Sequence, residues 1–262
     1  EYYLAFHDKV ISRYLTKILN FPNGSKTYTF KEPKIIKNSN KQFRKAYAKA
    51  VLMFEGGIGI KEDVQLGVKN EDFKNSIAEI LNMHNINFKN KEDCDSNGIW
   101  RIWSGKLKKE SAKEWLSFFE ENTEKWYQIY EIINGYQGKI KSRKEAINIL
   151  NSIYPKRSKK ASLLEIFFII KNLNKTHRYE IVKKLCKNNK LKSYGGKWAH
   201  SLMPYLNILK KAKIITVEKA RFGPKKSFGT IIRDLYTYNS NIKEWKVPYR
   251  PWLEKEIDYL KN

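Results

Sequence analysis

The chain has few of the residues that mark secreted, metal-binding or membrane-spanning proteins. Its 262 residues include only two cysteines, Cys94 and Cys186, which lie far apart and in no metal-ligand spacing. This predicts a reduced intracellular setting. No apolar run approaches the roughly 20 residues of a membrane span, and no signal-peptide pattern stands at the start. We therefore expect no membrane segment and no disulfide-stapled secreted domain.

Acidic residues are also scarce relative to basic ones. Lys and Arg number 52 against 27 Asp and Glu, which gives a net charge of +25. Such an excess favours a polyanionic partner, most often nucleic acid. Lysine-rich composition bias and a basic membrane-surface protein are the alternatives. The basic residues are interleaved with tryptophan and tyrosine across segments with folded patterns, which favours nucleic acid.

A helical pattern in the first half ends in a glutamate and two glycines. Small or apolar residues recur at every third or fourth position, which predicts one face of a helix: Phe43, Ala46, Tyr47, Ala50, Val51 and Phe54. Gly56 and Gly57 are typical of positions just past a helix end. Glu55 then falls at the negative end of the helix dipole, where an exposed carboxylate costs roughly 0.3–1 kcal/mol. Either Glu55 is an ordinary solvated side chain or a bound cation compensates its charge.

Two segments in the first half repeat each other. Residues 1–19 align with residues 63–81 without a gap, with identical pairs Leu4/Leu66, Ile18/Ile80 and Leu19/Leu81. Each copy has the pattern of an alternating strand, a polar turn and an amphipathic helix. The agreement in both periodicities predicts a duplication, although such units are common and a chance match is the alternative. A duplication would require a helix, a turn and a strand upstream of Glu1.

The element order of the first half follows from these patterns. Two more strands are predicted around residues 86–91 and 98–105, and one or two helices over residues 110–135. The order is therefore helix–strand–strand–helix–strand–strand–helix. This order, the repeat and the Glu55-Gly56 helix end together resemble the LAGLIDADG homing endonucleases. Ala50 falls where that family has a small helix-packing residue, whereas Met53 stands at its first acidic position.

The resemblance implies an α+β fold of LAGLIDADG-type αββαββα units with antiparallel saddle sheets. These units would occupy residues 1–137, with the first half truncated at its start and the second half over about 41–135. Two motif helices would pack side by side, and each would present a terminal carboxylate to Mg²⁺ between the scissile phosphates. Glu55 would be a catalytic acid and metal ligand, with its partner on an upstream helix or a second chain. The protein would then be a pseudo-twofold monomer or a homodimer.

The resemblance also implies a basic residue near the metal ions and a DNA-reading sheet face. Lys106 is the first candidate for this basic residue and Lys61 the second. The alternative is that Lys106 is a plain surface lysine. Strand alternation places the following candidate DNA-binding residues opposite the core-facing ones: Gly59, Lys61, Gln65, Gly67, Lys69, Arg101, Trp103 and, in the first copy, Tyr3 and His7. Gln65 suits adenine, and Arg101 suits guanine or phosphate. An ordinary solvated sheet face is the alternative.

The second half has a different pattern. Two glycines and a charge cluster place a linker at residues 134–144. Helices are predicted over 144–154, 162–174, 178–189 and 195–213, followed by two strands around a basic loop. Three helices and such a strand pair resemble a winged helix-turn-helix over residues 138–240, with a tail over 241–262.

This resemblance implies DNA contacts from the third helix and the wing. The candidate residues are Lys197, Trp198, His200 and Ser201 on the helix, and Arg221, Lys225 and Lys226 on the wing. Contacts to phosphates would position the domain and make its affinity salt-dependent. Winged helices also serve as protein-interaction modules, which is the alternative.

Three functions remain open at this point. The favoured one is a sequence-specific double-stranded DNA endonuclease, active in intron or intein mobility in a prokaryotic or archaeal cytoplasm or an organelle. The second is a catalytically inactive DNA-binding transcription regulator on the same fold. The third is an RNA-binding splicing maturase. Other chemistry has little support, because the four histidines form no metal-ligand pair.

Overall fold

The computed structural model describes residues 17, 31–91, 93–154, 161–187, 202–222 and 231–253. The chain divides between Ile133 and Asn134 into two compact units. Both units mix helices with antiparallel strand pairs, which confirms the predicted α+β class. Within the described ranges, no helix combines the length and the apolar character needed to cross a bilayer. Apart from residue 17, the first copy of the repeat, with Tyr3 and His7, lies outside the described residues.

The first unit has the predicted element order, preceded by a short helix that was not predicted and ending in two helices. Its elements are α1 (Lys34–Lys37), α2 (Lys41–Phe54), β1 (Gly56–Gly59), β2 (Asp63–Val68), α3 (Glu71–Met83), β3 (Lys89–Asn90), β4 (Trp100–Trp103), α4 (Lys109–Leu116) and α5 (Glu124–Asn134). The four strands form one antiparallel sheet in the order β1–β2–β4–β3.

Local chemistry sets the ends of the two long helices. The side chains of Asn40 and Asn70 accept hydrogen bonds from the third residue of α2 and of α3, each at 2.9 Å. These caps satisfy amides that would otherwise lack partners. Past the end of α2, a Cβ at position 56 would stand only 2.5 Å from the Leu52 carbonyl oxygen. Gly56 therefore lets the chain leave the helix directly into β1.

The core of the first unit lies between the sheet and its helices. Val64 and Leu66 of β2 and Ile102 of β4 are buried against α3, as alternation predicts. The helix residues predicted from the repeat are buried as well: Phe73, Ile77, Ile80 and Leu81. The sheet therefore has one apolar face toward the helices and a second face directed away from them.

Helix α2 differs from its expected pattern. Its buried residues are Arg44, Ala48 and Leu52, whereas Phe43 and Phe54 are exposed. Arg44 is buried because two carboxylates pair with it, Glu32 at 3.0 Å and Glu79 at 2.8 Å. These hydrogen-bonded charges raise the pKa of Arg44 further above its usual range despite burial. The predicted apolar stripe is therefore largely the exposed face of α2.

The second unit contains more strands than its patterns predict. Its elements are β5 (Gly138–Ile140), α6 (Arg143–Ile153), α7 (Leu163–Leu173), β6 (Lys175–His177), α8 (Arg178–Lys187), α9 (Met203–Lys211), β7 (Ile215–Phe222), β8 (Ile231–Tyr238), β9 (Trp245–Val247) and a 3₁₀ turn (Pro251–Leu253). The antiparallel sheets have the orders β6–β8–β7 and β5–β9. Pro204 lies in the first turn of α9, where its missing N–H breaks no helical bond.

Two segments of the second unit differ from their predicted roles. The linker predicted over residues 134–144 contains β5, and the tail predicted over 241–262 contains β9. These strands pair with each other from Gly138 opposite Val247 to Ile140 opposite Trp245. A three-residue strand has too little alternation to be recognised, and its partner lies more than a hundred residues away along the chain.

Candidate nucleic-acid interface

On the outer face of the first unit's sheet, a row of directly paired residues crosses all four strands. Gly57 pairs with Gln65, Gln65 with Trp103, and Trp103 with Lys89. Directly paired residues point to the same face of a sheet, and Gln65 is exposed. Lys89 was not predicted for this face because β3, at two residues, is too short to show alternation.

A second row on the same face contains Arg101, which a loop carboxylate holds in place. Arg101 pairs with Gly67 across the strands. Its Nη2 and Nε donate to Asp95 Oδ2 at 2.8 and 3.2 Å. A Cβ at position 67 would lie 3.7 Å from Arg101 Nη1, so the guanidinium lies over this glycine. Asp95 uses Nε and Nη2, and it leaves the Nη1 hydrogens to another acceptor.

The Asp95 carboxylate is itself fixed by backbone. Its Oδ1 accepts hydrogen bonds from the backbone amides of Asn97 at 2.9 Å and Ile99 at 3.1 Å. The hydrogen bonds from Arg101 first, and then from Ile99, hold the pKa of Asp95 below its usual range. Arg101 is therefore oriented before any ligand arrives. Asp95 was not predicted, because the fold of a loop brings it to Arg101 and no sequence spacing indicates this contact.

Gln65 is oriented in a similar way. Its Nε2 donates to Asp63 Oδ2 at 2.7 Å. The Asp63 side chain lies so close over Gly59 that a Cβ there would be 2.1 Å from its Oδ1. This Oδ1 is buried without a hydrogen-bond partner among the described residues. The amide of Gln65 keeps its oxygen and one N–H for another group.

Glu55 lies where α2 meets the sheet, and a lysine from a distant helix lies beside it. Glu55 is the exposed residue that caps α2, and its amide donates to Val51 O at 2.8 Å. The Lys125 ammonium donates to the carbonyl oxygens of Gly56 at 2.6 Å, of Leu52 at 3.2 Å, and of Met53. A cation of the protein itself, the Lys125 ammonium, therefore lies at this negative helix end.

The surroundings of Lys125 act on its charge in opposite directions. Burial lowers the pKa of Lys125, and the nearby charge of Glu55 offsets part of this effect. Lys125 lies in the first turn of α5, where a cation is unfavourable for its own helix dipole. The position of Lys125 is therefore explained by its contacts with the carbonyl oxygens at the end of α2. No local pattern could reveal this contact, because 69 residues separate Lys125 from Gly56 along the chain.

The basic residues predicted to accompany Glu55 lie at the other end of the sheet. Lys61 is exposed in the β1–β2 turn. Lys106 Nζ is 3.6 Å from Glu62 Oε2, and the amide after Lys106 donates to the Glu62 carbonyl. Gly56, the neighbour of Glu55, pairs with Leu66. Leu66 lies four residues beyond Glu62, a distance of about 13 Å along an extended strand. The hairpin thus separates Lys106 and Lys61 from Glu55, contrary to expectation.

The described residues fit part of a Mg²⁺ site. They include no group of three or more His, Cys, Asp or Glu side chains able to hold a metal ion. Mg²⁺ commonly uses one or two carboxylates together with substrate phosphates and water. The exposed carboxylate of Glu55 fits one ligand of such a shared site.

Several predicted contacts of the second unit cannot be placed. Lys197, Trp198, His200, Ser201, Lys225 and Lys226 lie outside the described residues, and the side chain of Arg221, at the end of β7, is not described. Lys69, the last predicted residue of the sheet, is exposed just after β2.

Charge is unevenly divided between the units. Residues 134–262 carry 30 basic and 9 acidic side chains, whereas residues 1–133 carry 22 and 18. The second unit thus holds most of the positive charge that predicts a polyanionic partner. Comparisons with protein-family models, curated proteins and solved structures found no match to this chain.

Proposed function

We propose that the chain is a sequence-specific double-stranded DNA endonuclease of the LAGLIDADG homing type. One observation carries the proposal: Glu55 ends α2 at the edge of a four-stranded antiparallel sheet whose outer face presents Gln65, Arg101 and Trp103. The order αββαββα and the strand order β1–β2–β4–β3 support it.

The outer face of the sheet has the chemistry of a groove-reading surface. Glutamine pairs bidentately with adenine and arginine with guanine in the major groove. Gln65 and Arg101 lie on neighbouring strands, and carboxylates orient both. Lys89, at the far end of the row, suits a phosphate contact that fixes register. We infer that Gln65 and Arg101 read bases and that Lys89 contacts the backbone.

The exposed stripe of α2 supports a second, equivalent helix. Phe54 is 86% exposed and Phe43 is 56% exposed, and the small residues Ala46 and Ala50 between them are exposed as well. Small residues allow two helices to approach closely, and burying the two rings favours the contact. The partner helix comes from a second copy or from an upstream half. In the proposed arrangement it brings a second carboxylate to the site.

The roles of the residues around Glu55 follow from this arrangement. Mg²⁺ bound at the shared site would activate water and stabilise the leaving oxygen. Glu55 would supply one oxygen ligand, and the carboxylate of the partner helix would supply another. Lys125 replaces Lys106 as the basic residue at the site, because its ammonium lies at the same helix end as Glu55. Its positive charge offsets the charge of a bound phosphate.

Cleavage of a randomised duplex library with Mg²⁺ tests the proposal. The native protein and the matched control Glu110→Gln, an exposed glutamate on α4, should cut the same subset of sequences. Glu55→Gln should bind that subset and cut it at least about 100-fold more slowly. Binding by the native protein with no cleavage of any sequence would overturn the endonuclease assignment.

The second candidate is a DNA-binding regulator that does not cleave. Two features favour it: the Lys125 ammonium already compensates the helix end beside Glu55, and Met53 stands where the family has its first acid. In this case the native protein and Glu55→Gln bind equally and neither cuts. Stronger competition by RNA than by duplex DNA would instead favour the splicing maturase.

For the second unit we propose a winged helix-turn-helix that supplies DNA affinity. The element order α7–β6–α8–α9–β7–β8 and the sheet order β6–β8–β7 support this proposal. The unit's excess of 30 basic over 9 acidic residues suits phosphate contacts. These contacts hold the protein on DNA while the first unit reads sequence.

A further inference from the structure

The excess positive charge of the first unit is concentrated in one short segment. Residues 31–50 contain seven basic side chains and one acidic side chain, an excess of six. The whole unit, with 22 basic and 18 acidic side chains, has an excess of four. The rest of the unit is therefore slightly acidic. The segment contains α1 and most of α2, so this positive charge is carried by helices and not by strands.

Several of these charges are compensated by carboxylates. The ion pairs join Lys31 to Asp72, Arg44 to Glu32 and Glu79, and Lys49 to Glu120. The charge of Lys37 also acts on the carboxylates of Asp72 and Glu79. Among the residues that the structure describes, no carboxylate forms an ion pair with Lys41 or Lys45. These two lysines are therefore the uncompensated charges of α2.

Lys41 and Lys45, one turn apart on α2, meet His84 at the end of α3. His84 Nε2 lies 3.3 Å from the Lys41 carbonyl oxygen. The His84 ring packs edge-on against Phe118, and Lys45 Nζ lies 5.0 Å from the centroid of the same Phe118 ring. Lys45 Nζ donates to Ser117 Oγ at 3.0 Å, which uses one of its three N–H groups. Two ammonium groups and an imidazole thus belong to one cluster.

The two lysines act on His84 without an opposing acid. Burial lowers the pKa of His84, the hydrogen bond to the Lys41 carbonyl raises it, and the charges of Lys41 and Lys45 lower it further. Within the described ranges, the acids on the adjoining segments form no ion pair with either lysine: Glu79, Glu114, Glu120 and Glu121. An anion bound at this cluster would therefore relieve repulsion that the protein itself leaves in place.

The start of α2 is electropositive for a second reason. Lys41 is the first residue of α2, and no acidic side chain lies in the first turn. Because the N-terminal end of a helix carries a partial positive charge, a lysine there is unfavourable unless an anion lies nearby. With 14 residues, α2 separates Lys41 from Glu55 by about 20 Å along its axis.

We propose that Lys41, Lys45 and His84 bind a phosphate of a nucleic-acid backbone on the helical side of the first unit. Ammonium groups bind phosphate as point charges. A protonated His84 that donates to the Lys41 carbonyl keeps a second N–H for the ligand. Because residues four apart share one face of a helix, both lysines lie on a flank of α2 beside its apolar stripe. The site therefore depends neither on cleavage at Glu55 nor on the pairing of two α2 helices.

Nuclear magnetic resonance of the His84 ring in the full chain gives a local test. The ring signal is assigned by its absence from His84→Gln. A short duplex DNA, or a single-stranded RNA of the same sequence, should raise the pKa read from this signal, because a bound phosphate favours the imidazolium form. By linkage, lowering the pH from about 7.5 to about 5.5 should strengthen binding of that probe about threefold more for the native protein than for His84→Gln. The probe that responds identifies the nucleic acid.

Lysine variants test the same site through affinity. Lys41→Gln and Lys45→Gln should each weaken the responding probe several-fold and lower the salt slope of binding by about one. Lys109→Gln, which removes an exposed charge at the start of α4, is the charge-matched control. Lys45→Arg keeps the charge and should recover most of the affinity. The Lys41 ammonium has no partner among the described residues, so Lys41→Gln should fold normally even if Lys45→Gln does not.

Two results would overturn the proposal. The first is that Lys41→Gln binds both nucleic acids with the affinity and salt slope of Lys109→Gln. The second is a His84 signal that responds to inorganic phosphate but to neither nucleic acid, which would exclude a backbone as the ligand.

Discussion

Two adjacent glycines differ in what their positions allow. A Cβ at Gly56 would stand 2.5 Å from the Leu52 carbonyl oxygen, whereas a Cβ at Gly57 would have no neighbour within 4 Å. The first glycine is thus a steric requirement of the turn from α2 into β1. The second marks only an open position on the outer face.

Alanine substitutions should separate the two. Gly56→Ala forces backbone to shift and should lower the free energy of unfolding by about 1–3 kcal/mol. Gly57→Ala, the matched control, should leave it within about 0.5 kcal/mol of the native value. Urea unfolding followed by circular dichroism measures both. Equal stability of the two variants would contradict the close approach at position 56.

His84 should make stability depend on pH. Its ring packs edge-on against Phe118, with centroids 5.7 Å apart. Burial first, and then the charges of Lys41 and Lys45, lower the pKa of His84. A histidine with a depressed folded-state pKa binds protons more readily when unfolded, so stability falls as the pH drops below the unfolded value of about 6.5.

The variant His84→Gln isolates this contribution. Between roughly pH 7 and pH 5, the free energy of unfolding should decline less for the variant than for the native protein. Chemical denaturation at a series of pH values provides the measurement. Parallel curves would show that His84 titrates alike in both states.

Alternation predicted which residues face outward, but not what orients them. Gln65 and Trp103 lie on the outer face because side chains of a strand alternate with a period of two. Asp95 and Lys125 were not predicted, because each meets its partner through a loop or a distant helix. Lys106 was expected near Glu55 but lies beside Glu62, because antiparallel pairing of β4 with β2 brings the end of β4 to the β1–β2 turn.

Asp95 offers a test of pre-orientation. If Asp95 orients Arg101 toward a base edge, Asp95→Asn should weaken binding to the preferred duplex several-fold and relax base preference at one position. The loss of binding free energy should be smaller than that of a full bidentate contact, which is about 1–3 kcal/mol. Anisotropy with single-base variants of the site measures both effects. In the double variant with Arg101→Gln, the effect of Asp95→Asn should vanish; additive effects would exclude coupling between them.

At the scale of elements, long amphipathic segments were predictable and short strands were not. Helix α3 has its expected buried face, and β2 its expected alternation. Strands of two or three residues, β3, β5, β6 and β9, form because a partner strand offers hydrogen bonds. That information is absent from their own residues. The exposed face of α2 was not predicted for another reason. Two carboxylates make burial of Arg44 favourable, so the face that carries Arg44 packs inward and the apolar stripe is largely exposed.

The link between α2 and α5 gives a prediction at this scale. Lys125→Met keeps the side-chain length and removes the donor shared by three carbonyls. The free energy of unfolding should fall by about 1–3 kcal/mol, and amide exchange near residues 54–57 should accelerate. The control, Lys113→Met, alters an exposed lysine of α4. Equal exchange in the two variants would argue against the link.

At the scale of the whole molecule, the division of charge agrees with the two roles proposed for the units. The second unit holds 30 basic and 9 acidic residues, which suits contacts to a backbone of uniform charge. The first unit is nearly balanced, at 22 and 18, so its oriented polar groups suit discrimination between bases more than overall attraction.

This division predicts a strong salt dependence of binding. Affinity for duplex DNA of random sequence should fall by about 10³-fold or more between about 50 and 200 mM salt, the response of a protein with six or more phosphate contacts. Anisotropy titrations across this range provide the measurement. An affinity that is insensitive to salt would show that the positive charge of the second unit does not contact phosphates.

The glycines of β1 also shape the outer face. At Gly57 the outward position of β1 carries no side chain and has no neighbour within 4 Å, whereas the same row on β2 and β4 carries Gln65 and Trp103. At Gly59 the Asp63 side chain covers the backbone. The outer surface of the sheet is therefore lower at β1 than at β2 and β4, which leaves a shallow depression, here called the shelf, beside Glu55. A partner with a convex surface that binds this face would lie closer to β1 than to the centre of the sheet. Bulky residues on β1 would lift such a partner away from the helix end.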